Sequence, residues 1–451
     1  MRAWRLNLLR VFPLLPLAVV LYLWFTGPRG LSPPPTTQRA QLGSVDQRRE
    51  AVTILVQRGP DGVAGLIAAL RDPDASVQKA AAQGLEQIGQ PAVPALTAAL
   101  QNDQRGVRFA AAKVLCRLGQ PGDDAVQCLI AGLKDRRWRG EALAELTRVG
   151  EPALPGLEAA LRDPAWFVRR DAAEILRDLG ENAWPAVDSL SMALKDEHPE
   201  VRRAAAQALG HIGEFAGCAV PMLIACFREP ASPVRLAAIE ALVQIGPAAV
   251  PALGEALQDP NAECRWAAAH TLGSLKEAAR PAVPTLAQAL KDEDRAVRRE
   301  AARALAALQA ESTAALPVLA DALQDRQARW TTLQALQHYR QAAVPVLVKV
   351  LDDRDPLLRR ESARALGALG PDAAPAVPNL IATLKDEDWS VRREAVHALG
   401  RVGGDTQASV PALVLLLQDE YPINRREVGI ALARLGPQAS AAVPALIEAL
   451  E

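Results

Sequence analysis

Aromatic side chains make up only 4% of these 451 residues, although 50% of the chain is hydrophobic. A core built on large rings is thereby excluded, and Ala and Leu carry most of the apolar content. Such a composition suits helices packed closely on one another, because Ala combines the best helix propensity with little bulk. Neither sign of charge is in excess: 51 Lys and Arg stand against 52 Asp and Glu. Global charge therefore attracts no nucleic acid, and no nucleic-acid partner is expected. The five cysteines are odd in number, scattered, and without C-x-x-C spacing. Cys218 and Cys226 are expected on one helix, about 12 Å apart and too far for a disulfide. All five cysteines read as buried small hydrophobes or inert thiols.

Sites of chemistry are missing as well. A metal centre needs three or four ligands within a few ångströms. His198, His211, His270, His338 and His397 fall in different stretches of the chain, and none has a Cys at ligand spacing. No G-x-S-x-G elbow, GxxxxGK[ST] loop or G-x-G-x-x-G turn occurs. Acidic pairs such as Asp292 and Asp294 read as solvated turns. No catalytic residue, metal or cofactor is expected.

The one long hydrophobic run lies at the start. Arg2, Arg5 and Arg10 precede an uncharged stretch from Val11 to Pro28, VFPLLPLAVVLYLWFTGP. As a helix, Val11 to Thr26 would reach about 24 Å, slightly short of a hydrocarbon core of about 30 Å. Leu8 and Leu9 extend it if Arg10 snorkels, and Tyr22, Trp24 and Phe25 suit an interfacial belt. Residues 1–28 therefore read as an uncleaved signal-anchor or transmembrane segment, with no later stretch apolar for long enough to span. Its basic flank favours the N-terminus inside, which puts the rest of the chain outside the cytoplasm. The alternative is a secreted or periplasmic chain after signal cleavage, though no A-x-A-like site follows Phe25. Residues 29–44, with Pro33-Pro34-Pro35, read as a stiff linker.

Residues 45–451 repeat. Asp72, Asp103, Asp135, Asp163, Asp196, Glu229, Asp259, Asp292, Asp325, Asp353, Asp386 and Asp419 mark one point of the unit at a mean spacing of about 31.5 residues. Such a period indicates a helical solenoid. Each mark separates two amphipathic stretches, as in AVPNLIATL (376–384) and VRREAVHALGRVG (391–403). Apolar residues at Val297, Ala301, Ala304, Leu305 and Leu308 follow helical spacing. Pro94, Pro251, Pro284, Pro317, Pro345, Pro378, Pro411 and Pro444 recur near the start of the first helix. Gly89, Gly119, Gly180, Gly213, Gly246, Gly370 and Gly403 recur after the second. About thirteen helix pairs are expected, and no strand.

The D-x-x-x-x-VRR-x-A-A-x-AL-G-x-IG pattern resembles HEAT repeats of the short type named after phycobilisome lyases. The resemblance covers residues 45–451 and implies an all-α fold, an α-α superhelix. It also implies that an Arg after the buried Val bonds the turn Asp of a stacked unit, here Arg108, Arg139, Arg169, Arg202, Arg235, Arg265, Arg298, Arg329, Arg359, Arg392 and Arg425. Two enzyme classes share the repeat. Deoxyhypusine hydroxylases hold di-iron on His-Glu pairs, and no His here precedes Glu, so that activity is not expected. Bilin lyase subunits are the remaining enzymatic alternative.

Surface is what remains. If the second helices line the concave side, two positions per unit face inward. They hold Arg170, Arg203, Trp266, Arg299, Arg303, Trp330, Arg360, Arg364, Arg393 and Arg426, with His270, His397 and Phe109 on the same lines. Arg and Trp are the residues most enriched at binding hot spots. The expectation is a membrane-anchored, non-catalytic scaffold that captures a protein or peptide with acidic and apolar residues. The competing reading is that Arg170–Asp171, Arg299–Glu300, Arg360–Glu361, Arg393–Glu394 and Arg426–Glu427 are solvated helix charges.

Overall fold

The computed structural model describes residues 44–229, 233–308, 315–323 and 328–449. The hydrophobic segment and nearly all of the linker lie outside them. The chain forms two compact units, Met1–Phe215 and Ala216–Glu451. Among the described residues of each, every regular element is an α-helix or a 3-10 turn.

Each repeat reads the same way from its residues. A first helix such as Val377–Thr383 begins with Pro at its second position, where no backbone donor is lost. A turn follows, and the second helix, Trp389–Val402, opens on Asp388, whose carboxylate caps the Ser390 and Val391 N–H groups. The helix closes on Gly403, at φ 65°. All seven glycines expected as caps have positive φ, between 59° and 79°. Lys276 and Arg340 hold the same bend at φ 51° and 47°, conformations that cost a side-chain-bearing residue free energy. Pro411 departs from the pattern: it lies inside the Thr406–Leu415 helix rather than at its start.

Three helical runs, Pro199–Arg228, Pro233–Ala256 and Pro422–Glu448, are by length and composition apolar enough to cross a bilayer. This corrects the expectation that nothing after residue 44 is. Each run is a second helix, a 3-10 turn and a first helix joined end to end, bent at Gly213, Gly246 or Gly436. In the first two, Leu209, Leu223, Leu242 and Leu253 point into the core and are fully buried.

The arginine ladder is built as the resemblance implies at four places. Nε and Nη2 of Arg169 grip both carboxylate oxygens of Asp196 at 2.6 and 2.8 Å. Arg265 holds Asp292, Arg359 holds Asp386 and Arg392 holds Asp419 in the same way. The remaining Nη1 of each bonds carbonyls of its own turn, for example Arg359 to Asp353 O at 3.0 Å. One planar guanidinium thus closes its own turn and clamps the next, which an ammonium cannot do. Arg48 and Asp72 form a further such pair.

Other expected rungs differ. Arg139 turns to Asp171, Arg235 to Glu263 and Arg329 to Asp355. Arg108, Arg298 and Arg425 bond their own turns. Asp325, the acid expected opposite Arg298, lies outside the described residues.

The second helices of each unit form one closely packed layer. A Cβ added at Gly367 would lie 2.9 Å from the Ala398 Cα, and one at Gly400 would lie 2.8 Å from the Ala431 Cα. These glycines are therefore contact points between helices.

The cysteines are all free. Cys116, Cys226 and Cys264 are buried, and burial pushes the Cys116 thiol up to about 11. Cys218 is exposed, against expectation, because it sits in the 3-10 turn Gly213–Ala219 rather than on the helix that precedes Cys226.

Candidate functional site

The candidate residues all lie on second helices. Arg170 and Arg203 belong to the first unit and the other eight to the second. Counting from the buried residue before each ladder arginine, Trp266, Arg299, Trp330, Arg360, Arg393 and Arg426 occupy position +2 of six helices. Position +3 holds Glu300, Glu361, Glu394 and Glu427, and position +6 holds His270, Arg303, Arg364 and His397.

Most of the candidate arginines are already neutralised. Arg360 donates to Glu361, Arg393 to Glu394, and Arg170 to Asp171, at 2.8 to 2.9 Å. Arg203 pairs with Glu200, and Arg364 reaches Glu361 at 3.4 Å. Apart from Arg203 and the exposed Glu200, these are not solvated helix charges, because the acids are largely buried. The side chains of Glu300, Glu361 and Glu394 are only 12%, 12% and 13% exposed, and Asp171 is fully buried. Asp171 also takes the fork of Arg139 at 2.6 Å. Arg170, Arg360 and Arg393 thus satisfy shielded carboxylates that a ligand taking these arginines would have to leave with fewer partners.

Aromatic placement also differs from expectation. Phe109 is buried and stacked on Trp138 at 5.3 Å. Trp266 is half-buried and stacks on the His270 ring at 5.2 Å. Trp330 is 46% exposed, with the Arg364 guanidinium 5.2 Å from its ring centre. In the first unit Arg170 lies over Trp166, which stacks on His198. Arg393, Trp389 and Tyr421 repeat that arrangement in the second.

One place keeps unspent donors. Between Ala262–Leu275, Arg295–Ala307 and Arg329–Gln337 lies an open depression of about 500 Å³. Ala302, Ala306 and Ala335 are among its lining, with Trp266, Arg299 and Arg303 around them. Arg299 is exposed and has no ion-pair partner among the described residues. Arg303 is 74% exposed, and its one ion-pair partner among the described residues is Glu300, at 4.0 Å. Gln334, Gln337 and His338 complete the wall; sequence reading missed all three because they come from a short helix whose neighbouring turns break the pattern. The structure thus brings Trp266, Arg299 and Arg303 together. Trp330 and Arg364 stand beside each other, and Arg426 is exposed on a later helix. Among the described residues no three His, Cys, Asp or Glu side chains are grouped to hold a metal.

Residues 34–116, 63–143, 130–210, 157–243, 220–282, 250–338, 324–378, 344–433 and 377–451 match the family profile described as HEAT repeats. No curated protein matches the chain. Among solved structures, Kap121p is similar at 12% identity and a TM-score of 0.47, over 96% of this chain and 55% of that one. Kap121p bound to Pho4p is similar at 13% identity and a TM-score of 0.46, over 90% and 51%. An engineered protein shares 23% identity at a TM-score of 0.26, over 83% and 98%. The chain spans about half the length of the Kap121p chains it matches.

Proposed function

Since the chain belongs to the HEAT-repeat family, we propose that it is a scaffold holding a protein or peptide partner on the second-helix layer of residues 216–451. It performs no chemistry of its own in this reading, and residues 11–26 hold it to a membrane, with the repeats outside the cytoplasm. The short repeat type named after phycobilisome lyases remains the best description of its D-x-x-x-x-VRR motif.

The observation that carries this reading is the depression at Arg299 and Arg303, where two exposed guanidiniums have no close ion-pair partner among the described residues and stand beside the half-buried Trp266. A polypeptide suits it better than a small molecule because the line continues. Trp330, Arg360 and Arg393 follow on successive helices. Stacked helices lie about 10 Å apart, or about three residues of extended chain. An extended segment with acidic and apolar residues would therefore meet one second helix every third residue. Its affinity would weaken as salt rises.

Crosslinking and pull-down from native membranes tests the reading. The full chain should stay in membranes after carbonate washing, a chain starting near Ser44 should be soluble, and capture should be lost on Trp330→Ala combined with Arg299→Glu. Recovery of a mature chain starting near residues 28–32 removes the anchor. Co-purification of a tetrapyrrole favours the lyase alternative instead.

A further inference from the structure

Arg303 sits in a register that elsewhere comes with an acid. A base occupies position +6 of five second helices, as Lys113, His270, Arg303, Arg364 and His397. Position +3 of the helix that follows holds Glu141, Glu300, Thr331, Glu394 and Glu427 in the same order. Four of the five bases therefore have an acid at the matching position of the next helix. The rung is closed at 2.6 Å for Lys113 and Glu141 and at 2.8 Å for His270 and Glu300, while Arg364 reaches Glu361 of its own helix. At that position the helix after Arg303 has Thr331 instead. That hydroxyl is buried and spent on the Ala328 carbonyl at 2.8 Å.

Arg299 is left over for a second, separate reason. Arg170, Arg360 and Arg393, its equivalents at position +2, bond the acid next to them on their own helix. The acid next to Arg299 is Glu300, and His270 of the preceding repeat holds it at 2.8 Å. Two adjacent turns of one helix thus present guanidiniums, four residues apart and on one face, neither with an ion-pair partner nearer than 4.0 Å among the described residues. Both line the same depression, together with Glu300, His338 and the amides of Gln334 and Gln337.

We infer that Arg299 and Arg303 form a seat for one Asp or Glu carboxylate of the bound polypeptide, which completes the rung that Thr331 leaves open. This rests on the scaffold reading and gives it a fixed point. An acidic residue of the partner docks here, and its neighbours run along the position +2 line past Trp330. The seat is polypeptide-specific because the line continues on either side of it. A free anion gains only the two arginines.

The test uses the full chain and a fluorescein-labelled octaglutamate, read by anisotropy in low salt. Arg303→Gln and Arg299→Gln should each weaken binding about tenfold or more, the worth of a charge-assisted hydrogen bond. Gln334→Glu, at an exposed position of the same wall, supplies the missing carboxylate from within. It should weaken octaglutamate to a similar degree while the melting temperature holds or rises. Thr331→Glu is the less suitable variant, because that side chain is buried. No binding by the wild type overturns the inference, as does binding unchanged by both Arg303→Gln and Gln334→Glu. Inorganic phosphate competing as well as glutamate reduces the seat to a general anion site and overturns it too. If partner capture from membranes survives Arg303→Gln but is lost in Trp330→Ala, the scaffold reading stands and the seat does not. Capture that survives both variants removes the two together.

Discussion

Arg359 reaches across 27 positions of sequence to hold both carboxylate oxygens of Asp386, at 2.7 and 2.8 Å, while its Nη1 closes the turn at Asp353 O. Both side chains are nearly buried. Arg359→Ala would leave a shielded carboxylate without a partner, and should destabilise the chain by about 1–3 kcal/mol. Arg359→Lys should recover little of that loss, because one ammonium cannot fill a fork and a carbonyl at once. Chemical denaturation of both variants decides it. A Lys variant as stable as wild type would reduce the ladder to simple charge pairing.

The same pairs set the response to acid. Burial pushes the Asp196 carboxyl up, but the Arg169 fork and the His198 N–H outweigh it and hold the group below the ordinary 3.8. Asp419 is lowered by Arg392 against the same opposition, and Glu145 by Arg117 and Arg148. A lowered folded-state value means stability fully present above the unfolded value and lost as pH falls through the folded one. The denaturation midpoint should therefore hold down to about pH 4–5 and drop below it. Arg169→Ala should flatten that drop. An equally steep acid transition in the variant would assign it to other carboxylates.

Helix contact supplies a third expectation. A Cβ at position 400 would meet the Ala431 Cα at 2.8 Å and its Cβ at 2.9 Å, so backbone must move. Gly400→Ala should cost about 1–3 kcal/mol despite the better helix propensity of Ala. Stabilisation on denaturant unfolding would show that these two helices have slack.

The period, the caps and four of the ladder pairs were legible because each depends on residues at fixed sequence offsets. Pro94, Gly89 and Asp196 announce their roles wherever they stand. Burial across the stack was not legible in the same way. Glu361 and Arg360 are neighbours in sequence, and nothing in that adjacency tells that the acid is sunk between helices while the base lies over it. Phe109 occupies the same line as Trp330 but turns inward against Trp138, because Gly132 leaves room for its ring. Gly400 read as part of a motif, and its closeness to Ala431 emerges only when two repeats are stacked. The depression escaped notice for a related reason. Its far wall comes from Arg329–Gln337, the shortest second helix among those described, where the repeat pattern is weakest. The offset from a base at position +6 to an acid in the next repeat was present in the sequence and would have marked Arg303.

That geometry changes which mutations probe binding. Arg360→Glu with Arg393→Glu reads from sequence alone as a pair of exposed charge reversals that should spare the fold. In the structure each new carboxylate would lie beside an acid that is only 12% or 13% exposed and has just lost its nearest donor, with Arg364 at 3.4 Å left to Glu361. The combined change should cost about 2–4 kcal/mol, from the lost partner of Glu394, the weakened pairing of Glu361 and the repulsion added at each. Arg299→Glu, exposed and without an ion-pair partner among the described residues, should stay within about 0.5 kcal/mol. Parallel denaturant melts of the two variants separate the cases. If the double reversal unfolds at the wild-type midpoint, Glu361 and Glu394 are better solvated than their burial indicates. The Arg360 and Arg393 positions would then return to the list of free contacts. If it is destabilised, lost partner capture in that variant reports unfolding, and Arg299, Arg303 and Trp330 are the positions at which binding can be tested cleanly.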